Sequence, residues 1–181
     1  MNYPAPGASP TAFRRLDPVE AEARIDELAD ILVDAVEGGA SVHFMADVSF
    51  DEARRFWRDQ IDGLKADHKR LFVADDGTRL VGTVLLMFAQ QPNARHRADI
   101  GKMLVASSAR RQGLGSRLLE VAETAAAEAG RTLLMLDTET GSAGDLLYRR
   151  CGWSEIGVVP GHAFKPNGRL APTTIFYKSL A

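Results

Sequence analysis

Residues 103–116, MLVASSARRQGLGS, organise the chain, because an apolar, strand-like run passes there through two arginines and two closely spaced glycines into a helical pattern. A strand, a glycine-rich turn and a helix start commonly hold phosphate, since free backbone N–H groups and the positive end of the helix dipole converge there. Gly113 and Gly115 let the backbone approach a ligand without a Cβ atom in the way. Arg110 and Arg111 add forked donors for phosphate oxygens.

The turn differs from two familiar phosphate-binding loops. A Walker loop ends in Gly-Lys-Ser/Thr, and the dinucleotide-binding fingerprint has a third glycine where this chain has Leu118. A Gly-x-Gly pair alone also fits an ordinary strand-to-helix turn followed by a surface helix. The preceding Arg-Arg-Gln and a tyrosine motif farther along the chain favour a ligand-binding turn.

The composition is typical of a compact globular protein. With 181 residues, 45% apolar and 25% charged, the chain can bury a proper core. We predict a flexible tail over residues 1–10, which lack the apolar segment of a signal peptide, and one domain over residues 11–181. A net charge of -2 argues against a nucleic-acid partner, and no apolar run is long enough for a membrane. The lone Cys151 suits a reducing compartment, so we expect a cytoplasmic protein.

Alternating strand-like and helical patterns predict an α/β protein, called α+β in some schemes. Strands are predicted over residues 11–16, 70–74, 80–88, 98–105, 132–136, 156–159 and 173–177. Capping residues and helically spaced apolar residues together predict four helices. These run over residues 17–38, from Ser49 onward, over residues 113–130 and around Leu146. The order of elements indicates one sheet of mixed strand direction.

Six consecutive residues, Arg110-Arg111-Gln112-Gly113-Leu114-Gly115, resemble the signature of the GNAT superfamily of acetyl-CoA-dependent N-acetyltransferases. In that signature, Arg or Gln is followed by two residues, Gly, one residue, and Gly or Ala. A second element of the superfamily, a tyrosine four residues before a Gly-aromatic pair, is matched by Tyr148 and Gly152-Trp153. The resemblance covers residues 98–157 and implies a twisted, mostly antiparallel sheet of about seven strands with about four helices. One departure is Gly141, since the superfamily often has Asn seven residues before the tyrosine.

Four further segments resemble the tabtoxin-resistance acetyltransferases, which modify a β-lactam-containing amino acid. They are residues 38–48 (GGASVHFMADV), 97–105 (RADIGKMLV), 136–142 (LDTETGS) and 159–180 (VPGHAFKPNGRLAPTTIFYKSL). The substrate does not follow from this resemblance, because proteins that share a fold and a cofactor often act on different substrates.

The superfamily resemblance implies acetyl-CoA as cosubstrate. Main-chain groups of Met103 and Val105 would pair with its pantetheine arm between splayed fourth and fifth strands, and the Leu104 N–H would face the thioester oxygen. Such a donor contributes about 3 kcal/mol of transition-state stabilisation. The amides of residues 111–116 would hold the pyrophosphate. The predicted cofactor-binding residues are Met103, Leu104, Val105, Arg110, Arg111, Gln112, Gly113, Leu114, Gly115, Ser116, Ser142 and Tyr148.

Tyr148, Asp137 and Asp99 are the catalytic candidates, together with the Leu104 amide. A phenol with a pKa of about 10 stays protonated at neutral pH and can hydrogen-bond the leaving thiolate, although Tyr148 also fits a helix residue packed against Trp153. Either carboxylate could be the general base, directly or through water. Whether both reach one cleft depends on strand direction, and parallel strands would leave one of them farther from the thioester. A turn-capping role for Asp137 and a solvated strand position for Asp99 stay open.

The acceptor is predicted to meet two loops of the chain. His43, Phe44 and Met45 in the loop at residues 38–48, and Phe164 near the C terminus, are the candidate substrate-binding residues, although that loop equally fits one folded onto the core. The four histidines are dispersed without metal-ligand spacing, so no metal is predicted.

The sequence therefore predicts an N-acetyltransferase that transfers acetyl from acetyl-CoA to a small amine, such as an amino-acid-like toxin or antibiotic, by direct attack through a tetrahedral intermediate. Two alternatives are an acetyltransferase with a protein or peptide acceptor, and a non-catalytic acyl-CoA-binding module. An open groove between residues 38–50 and 160–172 would favour a macromolecular acceptor, and a closed pocket a small one. A monomer or a homodimer is expected, since the strand at residues 173–177 could pair within the sheet or form a dimer contact.

Overall fold

The computed structural model describes residues 10–180, so the predicted tail over residues 1–10 lies, apart from Pro10, outside the described part of the chain. The strands in this part are β1 (Ala12–Leu16), β2 (Lys69–Asp75), β3 (Leu80–Phe88), β4 (Arg97–Val105), β5 (Leu133–Glu139), β6 (Ser154–Phe164) and β7 (Leu170–Ser179). The α helices are α1 (Pro18–Ala23), α2 (Ile25–Glu37), α3 (Phe50–Lys65), α4 (Leu114–Glu128) and α5 (Ala143–Arg150).

All seven strands form one sheet in the order β1-β2-β3-β4-β5-β7-β6. Neighbouring strands are antiparallel except for β4 and β5, which are parallel. The prediction of a mixed, mostly antiparallel α/β sheet is therefore confirmed. The C-terminal strand β7 pairs within the sheet on both of its edges, with β5 and with β6.

The helix predicted over residues 17–38 is in fact two helices. Asp17 caps α1 through a capping box with Glu20, and the chain leaves helical geometry at Arg24, where φ is -104° and ψ is 19°. The Arg24 guanidinium pairs with Glu27 and, at 3.3 Å, with Asp75 at the end of β2. These ion pairs hold Arg24 in place between the two helices. The sequence pattern does not reveal the interruption, because both segments have helical periodicity.

Apolar side chains cover both faces of the sheet. One face packs against α4 and α5 through residues such as Val84, Leu118 and Phe176. The other packs against α1, α2 and α3, where the fully buried Trp57 donates its indole N–H to the Leu28 carbonyl at 2.8 Å. Part of the loop after α2 also packs on this second core through Val42.

The parallel strands β4 and β5 pair with each other only near their starts and then separate. Residue pairs join them only from Arg97 opposite Leu133 to Asp99 opposite Met135. Beyond that point β4 keeps its antiparallel pairing with β3, so its other edge is left open toward β5. This splayed region is the one predicted to hold the pantetheine arm.

A bulge distorts β4 beside this opening. Thr83 of β3 lies opposite Leu104 and Leu85 lies opposite Gly101, so that β4 carries one residue more than its partner strand. Lys102 lies within the bulge and has a φ of 45°, in the left-handed region that side chains rarely adopt. The Thr83 hydroxyl donates to the Lys102 carbonyl at 2.8 Å, which holds the bulge in place.

Candidate active site

A cavity of about 620 Å³ opens where β4 and β5 separate. Its walls come from the end of β4, the turn before α4, the starts of α4 and α5, and the loop after α2. We call it the donor cavity. All predicted cofactor-binding residues except Gln112 line it: Met103, Leu104, Val105, Arg110, Arg111, Gly113, Leu114, Gly115, Ser116, Ser142 and Tyr148. Gln112 is exposed and lies outside these walls.

The first turn of α4 offers backbone amides to the donor cavity. Gly113, the N-cap residue, has a φ of 79°, and no side chain within residues 10–180 caps the amides that follow it. Arg111 is also left-handed, with a φ of 63°. Turns of this kind gather N–H groups into an anion-binding concavity, and the α4 dipole adds to the attraction. A Cβ atom on Gly115 would lie 3.1 Å from Leu147, so glycine permits the close approach of α4 to α5.

The two arginines of the turn have different surroundings. Arg110 donates from Nε to the Val105 carbonyl at 3.1 Å and pairs with Asp34 of α2 at 3.6 Å. The same carboxylate accepts from the Ser107 amide at 2.8 Å, which ties the turn to α2. Arg111 lines the cavity and, among the described residues, forms no ion pair. Its charge is therefore available to a ligand, as is that of Arg150, which also lines the cavity and forms no ion pair among the described residues.

A second cavity of about 510 Å³ adjoins the first, and we call it the acceptor cavity. The two share five lining residues: Ser41, Val42, Met103, Thr138 and Tyr148. The acceptor cavity also contains the polar side chains of Asp99, Asp137, Lys102, His43, His162 and Gln60. A molecule in one cavity can thus reach a molecule in the other, at a junction that includes the tyrosine.

Both candidate carboxylates reach the acceptor cavity although their strands are parallel. Asp99 lies opposite Met135, only two residues before Asp137, and in this register the three side chains project from one face of the sheet. The parallel direction therefore does not carry them to opposite ends of the cleft. Within residues 10–180, neither carboxylate takes part in an ion pair, so both are available to an acceptor.

Burial raises the pKa of Asp99 above the ordinary range of an aspartate; the charge of Arg97 opposes this shift, and the neighbouring charge of Asp137 adds a smaller effect in the raising direction. A carboxylate with a raised pKa is a stronger base than an exposed one. Of the two candidates, Asp99 is thus the better suited to accept a proton from an amine.

Tyr148 is held rigidly between two other aromatic residues. Its ring centroid lies 5.9 Å from that of Trp153 and 6.0 Å from that of Phe176, and only 6% of the residue is exposed. Burial raises the pKa of Tyr148, and the charge of Asp137 acts in the same direction. The phenol therefore stays protonated at neutral pH, where it can donate to a departing thiolate at the junction of the cavities.

Residues 26–153 match the model of the acetyltransferase (GNAT) family. The chain belongs to the GNAT acetyltransferase family. It is therefore an N-acetyltransferase, and its cosubstrate is acetyl-CoA. The open edge of β4, the uncapped amides of α4 and the cation of Arg111 are groups that suit the arm and the pyrophosphate of that molecule.

Solved acetyltransferase structures share this fold. The ribosomal-protein-alanine N-acetyltransferase of Brucella melitensis is 25% identical, with a TM-score of 0.76 over 93% of this chain and 99% of that one. YncA of Salmonella typhimurium, a putative acetyltransferase solved with acetyl-CoA, is 17% identical, with a TM-score of 0.76 over 96% and 95%. A putative phosphinothricin N-acetyltransferase is 20% identical, with a TM-score of 0.72 over 95% and 99%.

Of the predicted acceptor-binding residues in this acetyltransferase, only His43 lines the acceptor cavity. Phe44 instead packs edge-on against Phe56, with ring centroids 5.6 Å apart. Met45 and Phe164 are 43% and 57% exposed and line neither cavity. Spacing within a loop does not reveal which side chains turn inward, since the loop has no regular period.

The loops that flank the acceptor cavity are joined to each other. The Ala46 amide donates to the Pro166 carbonyl at 3.1 Å, and the Ser41 hydroxyl to the Phe164 carbonyl at 3.3 Å. In addition, Lys165 pairs with Glu139 at the end of β5 at 2.7 Å. These contacts bridge the space between residues 38–50 and 160–172.

Sequence reasoning missed Lys102 and Gln60. A glycine within a strand often marks a bulge, and Gly101 was the available signal that the next side chain leaves the regular alternation. Gln60 lies on α3 and is buried, with its amide donating to the Phe56 carbonyl at 2.8 Å. Helical periodicity assigns it to the buried face but not to a cavity.

Within residues 10–180, no three His, Cys, Asp or Glu side chains are grouped so that they could hold a metal ion. No helix in the same range has both the length and the apolar character needed to cross a membrane.

Proposed function

We propose that this acetyltransferase moves the acetyl group of acetyl-CoA directly onto the amine of a small, amino-acid-like molecule, such as a toxin or an antibiotic. The observation that carries the proposal is the acceptor cavity, which holds two carboxylates and joins the donor cavity at Tyr148. The resemblance to tabtoxin-resistance enzymes, a role in resistance, a cytoplasmic location and a monomeric or homodimeric state stay predictions.

The donor side positions the thioester. Met103 and Val105 offer main-chain groups on the open edge of β4, and the amides of residues 111–116 hold the pyrophosphate. Leu104 lines the donor cavity while its side chain is buried in the core, so its main chain is what it presents. Its N–H serves as the donor to the thioester oxygen, where negative charge develops.

The acceptor side removes a proton from the amine. Asp99, directly or through a water molecule, takes that proton as the nitrogen forms its bond to the thioester carbon. Asp137 attracts the amine in its protonated form, which loses one proton to solvent before the neutral nitrogen attacks, and its charge adds to the rise in the pKa of Asp99 that burial causes. The C–S bond then breaks, and the sulfur receives the proton of Tyr148, so that CoA leaves as a thiol; loss of the proton held by Asp99 to solvent and uptake of one by the tyrosinate restore both groups.

The bridged loops favour a small acceptor over a protein. A peptide needs an open groove through which both of its ends can leave, and the Ala46–Pro166 and Ser41–Phe164 contacts cross the space where that groove would lie. A protein N terminus remains the second candidate acceptor, since only a single terminal residue would have to enter the cavity.

Release of CoA thiol tests the proposal. The purified protein is mixed with acetyl-CoA and a panel of free amino acids, β-lactam amino acids, aminoglycosides and simple amines, and acetyl-CoA binding is measured separately by calorimetry. We expect turnover with at least one amino-acid-like acceptor. Tight binding of acetyl-CoA without turnover of any amine would instead support the non-catalytic acyl-CoA-binding module.

A further inference from the structure

Lys102 lines the acceptor cavity and, among the described residues, forms no ion pair there. Its ammonium nitrogen lies 3.3 Å from Nδ1 of His43 and 4.9 Å from the centroid of the Phe56 ring. Among residues 10–180, it pairs with no Asp or Glu. Burial lowers the pKa of this ammonium group and the charge of Asp137 opposes that shift, but the group lacks the directly ion-paired partner that buried charges in proteins usually have.

The backbone supports this placement at a cost. Lys102 has a left-handed φ of 45° in the bulge of β4, and the Thr83 hydroxyl fixes its carbonyl at 2.8 Å. A lysine in this conformation is disfavoured relative to an ordinary strand residue. Strained residues of this kind persist where the surroundings impose them and tend to cluster at functional sites.

The charges around Lys102 are arranged in two groups. Asp99 and Asp137 supply negative charge to the cavity, Lys102 with His43 supplies the positive group, and the charge of Asp137 acts on both Lys102 and His43. The charge of Lys102 and burial both lower the pKa of His43, so the imidazole is neutral near pH 7 and can accept a hydrogen bond from the ammonium. His162 also faces the cavity and is held by the Thr173 hydroxyl at 3.1 Å.

We infer that Lys102 binds a carboxylate of the acceptor while Asp99 and Asp137 receive its ammonium group. The acceptor is therefore a free amino acid or an analogue that keeps both groups. A simple amine has no carboxylate for Lys102 to bind. This inference rests on the proposed function, because it assigns the acceptor of the same cavity. The neutral His43 orients the lysine and leaves its remaining N–H donors for the ligand.

The first experiment uses the unaltered protein. Initial rates of CoA release are compared for free amino acids and for the matching amino-acid amides, which keep the amine and lose the carboxylate charge. We expect kcat/KM for the best free amino acid to exceed that for its amide by roughly 30-fold or more, as for loss of one partner of a buried charge pair.

The second experiment changes the lysine. Lys102→Met should abolish the preference for the free acid over the amide, mainly through a higher KM for the acid, and Lys102→Arg should restore part of it. Lys65→Met, on the exposed face of α3, is the matched control and should keep the preference. Thermal melting and acetyl-CoA affinity of each variant show whether the fold and the donor cavity are intact.

Each result has a definite meaning. Turnover of simple amines or amides as fast as free acids by the unaltered protein would overturn the inference and leave the proposed function standing. A preference for the acid that survives in Lys102→Met would also overturn it, because another group would then hold the carboxylate. No turnover of any amine would remove the proposed function and this inference together.

Discussion

The donor cavity and the acceptor cavity are built in different ways. Residues 103–116 give the donor cavity one continuous wall, in which a strand end, a turn and a helix start follow each other. The acceptor cavity takes its polar groups from the loop after α2, α3, β4, β5 and β6. The proposed pyrophosphate-binding wall of the donor cavity is therefore local in the sequence, whereas the polar groups of the acceptor cavity come together only in the assembled sheet.

The two cavities also differ in the charges that line them. The donor cavity combines Arg110, Arg111 and the N terminus of α4, all of which attract phosphate. The acceptor cavity holds two carboxylates and one lysine, which suit a molecule that carries both signs of charge. Substitutions in one cavity should therefore change different properties of the enzyme from substitutions in the other.

The largest effect is expected from Asp99→Asn, which removes the proposed base. We expect kcat/KM to fall on the order of 100- to 1,000-fold. In the unaltered protein, a base must be ionised, so activity is lost as the pH falls through the pKa of Asp99. Since that pKa is raised, the acid limb of kcat/KM against pH lies above the ordinary aspartate value of about 3.9.

Asp137→Asn distinguishes the two carboxylates. Removal of its negative charge lowers the pKa of Asp99, so the acid limb should move to lower pH rather than disappear. Asp30→Asn, on the exposed side of α2, is the control and should leave the limb in place. An acid limb that is unchanged in Asp99→Asn would show that the base is another group.

The second prediction concerns the junction of the cavities. Tyr148→Phe keeps the aromatic packing against Trp153 and Phe176 but removes the proton donor, so kcat should fall about 100-fold while acetyl-CoA affinity changes little. Tyr177→Phe, on β7, removes a comparable hydroxyl from an exposed position. Stopped-flow rates and calorimetry on both variants check this, and an unchanged kcat would exclude Tyr148 from the reaction.

The sequence predicted the donor cavity well because its information is local. The glycines, the arginines and Tyr148 lie at fixed spacings, and the strands around them have clear periodicity, so the sheet was predicted, and all but one of the residues predicted to bind the cofactor line the donor cavity. Gln112 was the exception, since adjacency in a turn does not show which side chains point outward.

The acceptor cavity could not be predicted in the same way. Asp99 and Asp137 share one face because of the register between β4 and β5, which depends on pairing across more than thirty residues of chain. Lys102 enters the cavity only through a bulge. Phe44, Met45 and Phe164 were predicted to bind the acceptor, but their apolar character does not show which way a loop side chain points. Phe44 packs against Phe56, and Met45 and Phe164 are exposed.

A smaller effect is expected from Gly113→Ala in the donor cavity. The left-handed φ of 79° disfavours a Cβ atom, so the turn should relax and the Kd for acetyl-CoA should rise roughly 10-fold, as for a loss of about 1.4 kcal/mol. Gly130→Ala places the same strain, at a φ of 72°, at the far end of α4. That control should lower stability without weakening acetyl-CoA binding, and equal weakening in both variants would contradict the role of the turn.

The smallest effect is expected at the start of α3, which supplies Gln60 to the acceptor cavity. Ser49 and Glu52 form a capping box there, with the Glu52 carboxylate accepting from the Ser49 amide at 2.8 Å. Ser49→Ala should lower the free energy of unfolding by about 1 kcal/mol and Tm by roughly 2–4 °C, with kcat unchanged. Ser154→Ala, at an exposed strand start, should do neither, and calorimetric scans compare them.

The most direct test of the two-cavity account is a comparison of acceptor size. CoA release is measured with free amino acids and with short peptides that begin with the same residues, at one acetyl-CoA concentration. The bridged loops and the enclosed carboxylates predict turnover of a free amino acid and little or none of the matching peptide. Faster turnover of the peptides would contradict the account and assign the acceptor cavity to a protein N terminus.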